Sequence, residues 1–400
     1  MAQPKPPVIA ESKIHSLPYF RRKLRAELLS LLKKQGFKLG PNKLIKGRAF
    51  GKEKIRAIHS LSRKERLTEE SLFVAKWFPR VSKYFASGCD VDPARVEPYP
   101  VLIEDNEEHA ALFRIASLWW SVPVSRGFGR RFRILIFDKS NNKLFGLLGL
   151  TDPVFNLRTR DSWIGWDVRM RERMLAHVMD AFVLGAVPPY NQLLGAKFVG
   201  LLAASDFIRA TVRRKYGTAR SIILKRKFDG RLAMVTATSA LGRSSIYNRL
   251  RHDGVDVFRP VGYTEGYGHF HLANGTFESI RKYLRANKDE EIDRHQFGDG
   301  PNYRIRVARK ALERLGLPSD LLRHGVRRAV YVAPLASNAA AFLRGEARHL
   351  LWYPRPLDEI VRFWRDRWLL PRASRDSSYQ GFDCRTWNQI LDLHQPNQIS

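Results

Sequence analysis

The sequence predicts a mixed α/β protein, with a central sheet between a basic, helical N-terminal region and a mainly helical C-terminal extension. Three observations carry this. Two apolar runs at 133–138 and 144–150 flank Ser140-Asn141-Asn142, the pattern of an antiparallel hairpin. Between 131 and 272, further short apolar runs alternate with stretches of helical period. On either side the period is helical: Phe20, Leu24, Leu28, Leu31 and Leu32 share one face, and helical patterns dominate from Gly275 onward.

In chain order, residues 1–16 read as a flexible leader containing Pro and Lys. A helix is expected from Pro18, with Gly36 as its stop. Helices are expected at 52–61 and 68–85, and a linker at 87–101, where Gly88, Pro93, Pro98 and Pro100 cluster. The acidic run 104–108 precedes a helix at 110–120, and acidic groups suit a helix N-terminus. After the hairpin come a helix at 168–179, a strand at 181–187 stopped by Pro188-Pro189, and a helix opening near Tyr190. Strands at 221–225 and 232–238 follow, then a helix at 244–250 and strands at 257–263 and 268–272. Further helices are expected at 304–315, 317–324, 337–344 and 357–368, with a short strand at 329–333. The resulting division is 17–100 as the basic helical region, 101–273 as the α/β domain and 274–400 as the C-terminal region.

The order of strands and helices resembles the acyltransferase fold of the GNAT superfamily, which ends on a tyrosine-bearing helix and a glycine-flanked strand. Here those features fall on Tyr247-Asn-Arg-Leu250 and Gly262-Tyr263. That resemblance implies coenzyme A on the amides of a helix N-terminus, where unpaired N–H groups and the helix dipole bind anions. The matching residues are Gln192, Gly195 and Ala196; Lys197 stands where the family has a small residue. It also implies Tyr247 as a general acid. The plain alternatives are close packing at Gly195 and capping or packing around Ser244 and Tyr247.

A closer resemblance runs through Trp163-Ile-Gly-Trp166, Pro188-Pro-Tyr-Asn191, the stretch 236–249 and His324-Gly-Val-Arg-Arg328, with Gln35-Gly-Phe37 and the stretch 54–59. These motifs, in this order and spacing, are similar to the A-subunit family of the Druantia antiphage defence system. The resemblance implies a bacterial cytoplasmic protein acting beside a helicase-like partner, and it implies no known reaction.

Composition narrows the classes. The 44% hydrophobic content suits an ordinary soluble protein, and no apolar run approaches the roughly 18 residues needed to span a bilayer. Cys89 and Cys384, the two cysteines, lie too far apart in sequence to suggest a disulfide framework or a zinc motif. Charge is the strongest signal. Seventy basic against 39 acidic residues leave +31, an excess spread along the chain. Such a surface attracts polyanions, because neutralised phosphates release condensed counterions. DNA or RNA is therefore the expected partner, and an acidic protein the alternative.

The basic groups fall into clusters. Arg21, Arg22 and Lys23 crowd the start of the first helix, the wrong end for its dipole. Arg126, Arg130 and Arg131 lie on a loop with Gly127 and Gly129. Arg169 and Arg173 share a helix face that His177 continues. Arg213 and Arg214 end a helical region, Lys225 and Arg226 end a strand, and Arg243 stands before Ser244. Each reads as a phosphate contact or as a solvated face. Asp161 and Asp167, flanking two tryptophans, suggest a metal pair for phosphodiester cleavage or simple structural carboxylates. His269 and His271 on one strand face suggest a metal only if a third ligand joins them, and no metal is assigned.

Overall fold

A computed structural model describes residues 17–35, 37–40, 44–45, 51–125, 127–218, 228–264, 266–273, 276–289 and 301–391. In chain order these form α1 (Leu17–Lys34), α2 (Lys52–Val81), β1 (Pro98–Leu102), α3 (Glu107–Ala116), β2 (Arg131–Asp138) and β3 (Lys143–Thr151). Next come α4 (Arg158–Ile164), α5 (Val168–Met174), β4 (Val178–Ala186), α6 (Gly195–Ala203), α7 (Asp206–Tyr216), β5 (Met234–Ser239) and β6 (Arg259–Tyr263). Then come α8 (Phe277–Ala286), α9 (Pro301–Arg314), β7 (Ala329–Pro334) and α10 (Leu357–Trp364), with short helical segments after it as far as Ile390. The expected mixed α/β class is what is found. The expected strand at 221–225 lies outside the described residues, as do the leader and the last residues of the chain.

By packing, the chain divides into two units, Met1–Phe50 with Gly266–Gly325, and Gly51–Glu265 with Val326–Ser400. The expected boundaries at 100/101 and 273/274 do not coincide with this division. The second unit holds a seven-stranded sheet in the order β6-β7-β5-β4-β3-β2-β1. All neighbours are antiparallel except β4 and β5, which run parallel from Val178↔Met234 to Ala181↔Ala237. A parallel pair needs a crossover, and α6 and α7 lie on it. β7 lies inside the sheet, between the edge strand β6 and β5, and every one of its residues is buried. A strand covered on both faces reads as an unbroken apolar run, which Ala329-Val-Tyr-Val-Ala333 is.

One face of the sheet packs on α6 and α10, with Phe145, Phe198 and Trp364 in mutual ring contact. The other carries α2 and α3, joined through Glu70, which is 1% exposed and holds Arg66 at 2.8 Å and Arg114 at 2.5 Å. In the first unit, the Phe20 ring of α1 meets the Tyr283 ring of α8 edge-on at 5.6 Å. There Gln35 donates from Nε2 to the His271 carbonyl at 3.0 Å.

Several local expectations are corrected. The helices expected at 52–61 and 68–85 are one helix, because 62–67 holds no glycine or proline and is rich in Lys, Arg and Glu. The expected linker contains β1, an edge strand that tolerates Pro98 and Pro100 because one side of its backbone needs no partner. The helix expected at 168–179 stops at Met174, and the helix expected from Tyr190 begins at Gly195. The expected helix at 244–250 is a series of turns, bracketed by Gly242 and Arg249 at φ 78° and 59°. The strand expected at 268–272 is a single helical turn, Phe270–Ala273.

Candidate nucleic-acid interface

The entry to β2 is a built loop. Gly127 and Gly129 take φ of 67° and 63°, which glycine adopts without a Cβ clash. Thr151 at the end of β3 clamps the loop: its Oγ1 donates to the Phe128 carbonyl at 2.6 Å and accepts the Phe128 N–H at 2.7 Å. Asp152 accepts the Arg130 backbone N–H and its Nε, both at 2.8 Å. The Arg130 guanidinium is thereby laid over the Phe228 ring at 4.5 Å. Arg131 follows on the strand and is exposed.

The end of α7 is fastened to this place. Tyr216 donates its hydroxyl to the Arg131 carbonyl at 2.9 Å, and its ring lies 6.4 Å from that of Phe132. The last turn of α7, with its exposed Arg213, Arg214 and Lys215, is thereby tied to the start of β2; the Arg130 guanidinium lies 5.8 Å from the Tyr216 ring centre, whereas Arg131 and Arg133 alternate with Phe132 and lie on the α3 side of the sheet. Burial, with Arg131 alongside, holds the Arg133 guanidinium below its ordinary value. Two acids offset part of the charge, Asp152 on Arg130 and Glu104 at 3.3 Å from Arg214. Two clusters legible separately in the sequence meet at one end of the sheet, Arg131 and Arg133 on its α3 side and the α7 cations on the other. Like charges gathered at one end repel, and a polyanion there would relieve the repulsion.

Other candidates are placed elsewhere. Arg169 and Arg173 are exposed on α5, but His177 does not continue their face. It is buried, with Nδ1 2.8 Å from the Arg231 carbonyl, and burial lowers its pKa. Arg243 is exposed on the 240–249 turns. Arg21, Arg22 and Lys23 are exposed on α1, in the other unit. Arg126, Lys225 and Arg226 lie outside the described residues.

The carboxylates flanking the tryptophans have structural partners. Asp161 accepts from Arg160, Arg171 and the Leu157 N–H, while Asp167 caps α5 by accepting the Met170 N–H at 2.6 Å. The Trp166 indole donates to the Leu343 carbonyl at 2.6 Å. His271 is wholly buried with Nε2 2.5 Å from the Leu321 carbonyl, and it shares no strand face with His269. Sequence reading did not single out His252, Asp253 and Glu359, whose ligand atoms lie within 4.8 Å of one another. His252 Nδ1 sits 3.2 Å from Asp253, an arrangement that a simple ion pair also accounts for. It also passed over Asp180 on β4, which accepts the Thr236 hydroxyl at 2.6 Å and whose pKa is raised by burial. Its neighbours in sequence are apolar, so it stood out as no motif.

The start of α6, where a pyrophosphate is expected in the acyltransferase fold, is tightly packed. A Cβ on Gly195 would meet Phe145 Cζ and the Tyr190 carbonyl at 2.8 Å. The Trp364 indole donates to the Leu194 carbonyl at 3.1 Å, and Arg372 Nε to the Gln192 carbonyl at 3.1 Å. Ala196 is half-buried beside them. Lys197 donates to the carbonyls of Ile246 and Asn248 at 3.0 and 2.9 Å, and burial lowers its pKa to about 8. Tyr247 is buried between the Phe258 and Tyr331 rings, each 4.7 Å away, and burial raises its pKa. Ser244 accepts the Ile246 N–H at 3.2 Å, a local turn contact.

The family model described as Druantia protein DruA matches residues 49–345. The Druantia protein DruA of Escherichia coli (strain UMEA 4076-1) is 40% identical over 366 residues, which cover 91% of this chain and 90% of the relative. No solved structure matches the chain.

Proposed function

This chain belongs to the DruA family and is a component of the Druantia antiphage defence system. From that premise we propose that it engages nucleic acid through the basic end of the sheet where β2 and α7 meet, beside a helicase-like partner in the cytoplasm. The observation that carries this is the Tyr216 hydroxyl on the Arg131 carbonyl, which ties two basic segments to the same end of the sheet. A net charge of +31 supports it from a distance. Both cysteines are free, which suits a reducing compartment.

The central sheet supports an acyltransferase-like scaffold in its succession of elements. The start of α6, however, favours packing over coenzyme A: Gly195 leaves room for neighbouring side chains, and Lys197 is committed to two carbonyls. Tyr247, ringed by aromatics, fits a packing role in the same way. We therefore read the sheet as a frame that positions the basic segments.

The test is binding of the purified chain to labelled single-stranded DNA, duplex DNA and RNA across a salt series. A steep fall of affinity with salt supports the proposal, and no binding at low salt refutes it. Binding only to an acidic protein partner would replace it with the scaffold reading.

A further inference from the structure

Next to these basic segments two large aromatic side chains are only partly covered. Phe128 is 39% exposed and Phe155 is 48% exposed, and neither packs into the core. They stand on adjoining loops, one entering β2 and one leaving β3, connected where the Asp152 N–H donates to the carbonyls of Phe128 and Arg130. Both loops are held by the fold. Thr151 clamps Phe128, and the wholly buried Arg160 donates to the carbonyls of Val154 and Phe155 at 2.9 and 3.1 Å. The rings are thus presented on fixed backbone, with little ordering entropy left to lose on binding. Each has cations at hand: Arg130 and Arg131 follow Phe128, and the Arg171 guanidinium lies 4.5 Å from the Phe155 ring centre.

We infer that Phe128 and Phe155 form a stacking platform for unpaired bases, so that the nucleic acid engaged here is single-stranded over that stretch. The inference rests on the proposed nucleic-acid function and deepens it. Exposed rings among arginines pair a π surface for the base with charge for the phosphate. A duplex hides its base faces, so a ring gains little from it, whereas any unpaired base offers a face whatever its identity. The surrounding positive charge sets an unpaired strand above an apolar protein segment as the occupant.

The experiment is fluorescence anisotropy of the full chain with labelled oligothymidine, oligouridine and a duplex, each about 20 nucleotides long, over a salt series. The variants are Phe128→Ala with Phe155→Ala, and Phe128→Leu with Phe155→Leu. The alanine pair is expected to weaken binding of the single strands at least about tenfold, with the salt slope and duplex affinity unchanged. The leucine pair, which keeps apolar area and cannot stack, should show a comparable loss. Preference for oligothymidine or for oligouridine assigns DNA or RNA, and either supports the inference. Unchanged single-strand binding in the alanine pair, an equal loss on duplex, or full retention by the leucine pair would overturn it while leaving the proposed basic interface intact. Failure of the wild-type chain to bind any of the three at low salt would instead overturn the function on which the inference rests. Because both rings are exposed, thermal melting should be unaltered in every variant, which separates loss of stacking from loss of fold.

Discussion

Neutralising the basic segments should change the salt dependence of binding by a calculable amount. Each cation that contacts a phosphate contributes about 0.9 to the slope of log K against log salt for duplex DNA and about 0.7 for single strands. Arg213 and Lys215 are exposed and pair with no acid among the described residues, and Arg131 is exposed on the neighbouring strand. Replacing all three by alanine should flatten the slope by about 2.7 on duplex DNA or about 2.1 on a single strand. Arg214→Ala should do less than any one of them, because Glu104 at 3.3 Å already shares its charge. Arg362→Ala on α10, whose guanidinium faces Asp358 at 3.4 Å, serves as the control and should leave the slope unchanged. The assay is anisotropy between about 50 and 200 mM salt, the range over which several phosphate contacts change affinity by orders of magnitude. A triple variant with the wild-type slope would refute the reasoning, whatever its affinity at a single salt concentration.

Three further outcomes follow from the interior. Glu70→Gln removes the buried carboxylate that holds Arg66 and Arg114, leaving their guanidinium groups facing a neutral amide; urea unfolding should show a loss of about 3 kcal/mol, and a loss under about 0.5 kcal/mol, the scale of an ordinary surface substitution, would contradict the role given to this pair. Gly195→Ala forces a methyl against Phe145 and the Tyr190 carbonyl at 2.8 Å, so a destabilisation of about 1–3 kcal/mol is expected in thermal or urea melts; unchanged stability would reopen the start of α6 as accessible space. Burial lowers His271 from 6.5 to about 4, and burial with Arg304 nearby does the same to His269. As pH falls from 6.5 towards 4 the unfolded chain takes up these protons first, so stability drops over that window, by up to roughly 3 kcal/mol for His271. His271→Gln should flatten the curve of melting temperature against pH there, and an unaltered curve would show that this imidazole is not the sensitive group.

What the sequence revealed and what it hid divide along local and remote contacts. The β2–β3 hairpin was legible because its apolar runs and its Ser-Asn-Asn turn are local signals, and Asn142 indeed takes φ 56°. β7 was legible as a strand, but its place between β6 and β5 was not, since a run of apolar residues does not say which neighbours cover it. β1 was hidden by its prolines, which mark loops more often than edge strands. The turns at 244–249 were misread as a helix because the residues there are compatible with one. Their positive-φ brackets and the stacking of Tyr247 on Phe258 and Tyr331 are tertiary outcomes. The residues of the proposed interface followed the same rule. Each basic cluster was visible, but the bond that unites them spans 85 residues of sequence. Phe128 and Phe155 were invisible as candidates, because only the fold shows that no core takes them.

The two basic segments differ in what structure alone explains. Cations in the last turn of a helix interact favourably with its dipole, so Arg213, Arg214 and Lys215 would be at home at the end of α7 without any ligand. β2 has no comparable dipole, since the dipoles of neighbouring strands largely cancel. Arg130 has structural work with Asp152, and part-buried Arg133 lies 5.8 Å from the Phe113 ring centre. Arg131 is exposed, and burial, with Arg131 alongside, lowers the pKa of Arg133. The fold then brings the helix end, with its own excess of positive charge, against this strand rather than away from it. Asp152 offsets Arg130 and Glu104 offsets Arg214. Under the proposed function, an anion drawn to this end of the sheet would account for the convergence of these cations, and the partly exposed rings nearby would favour an anion that carries bases.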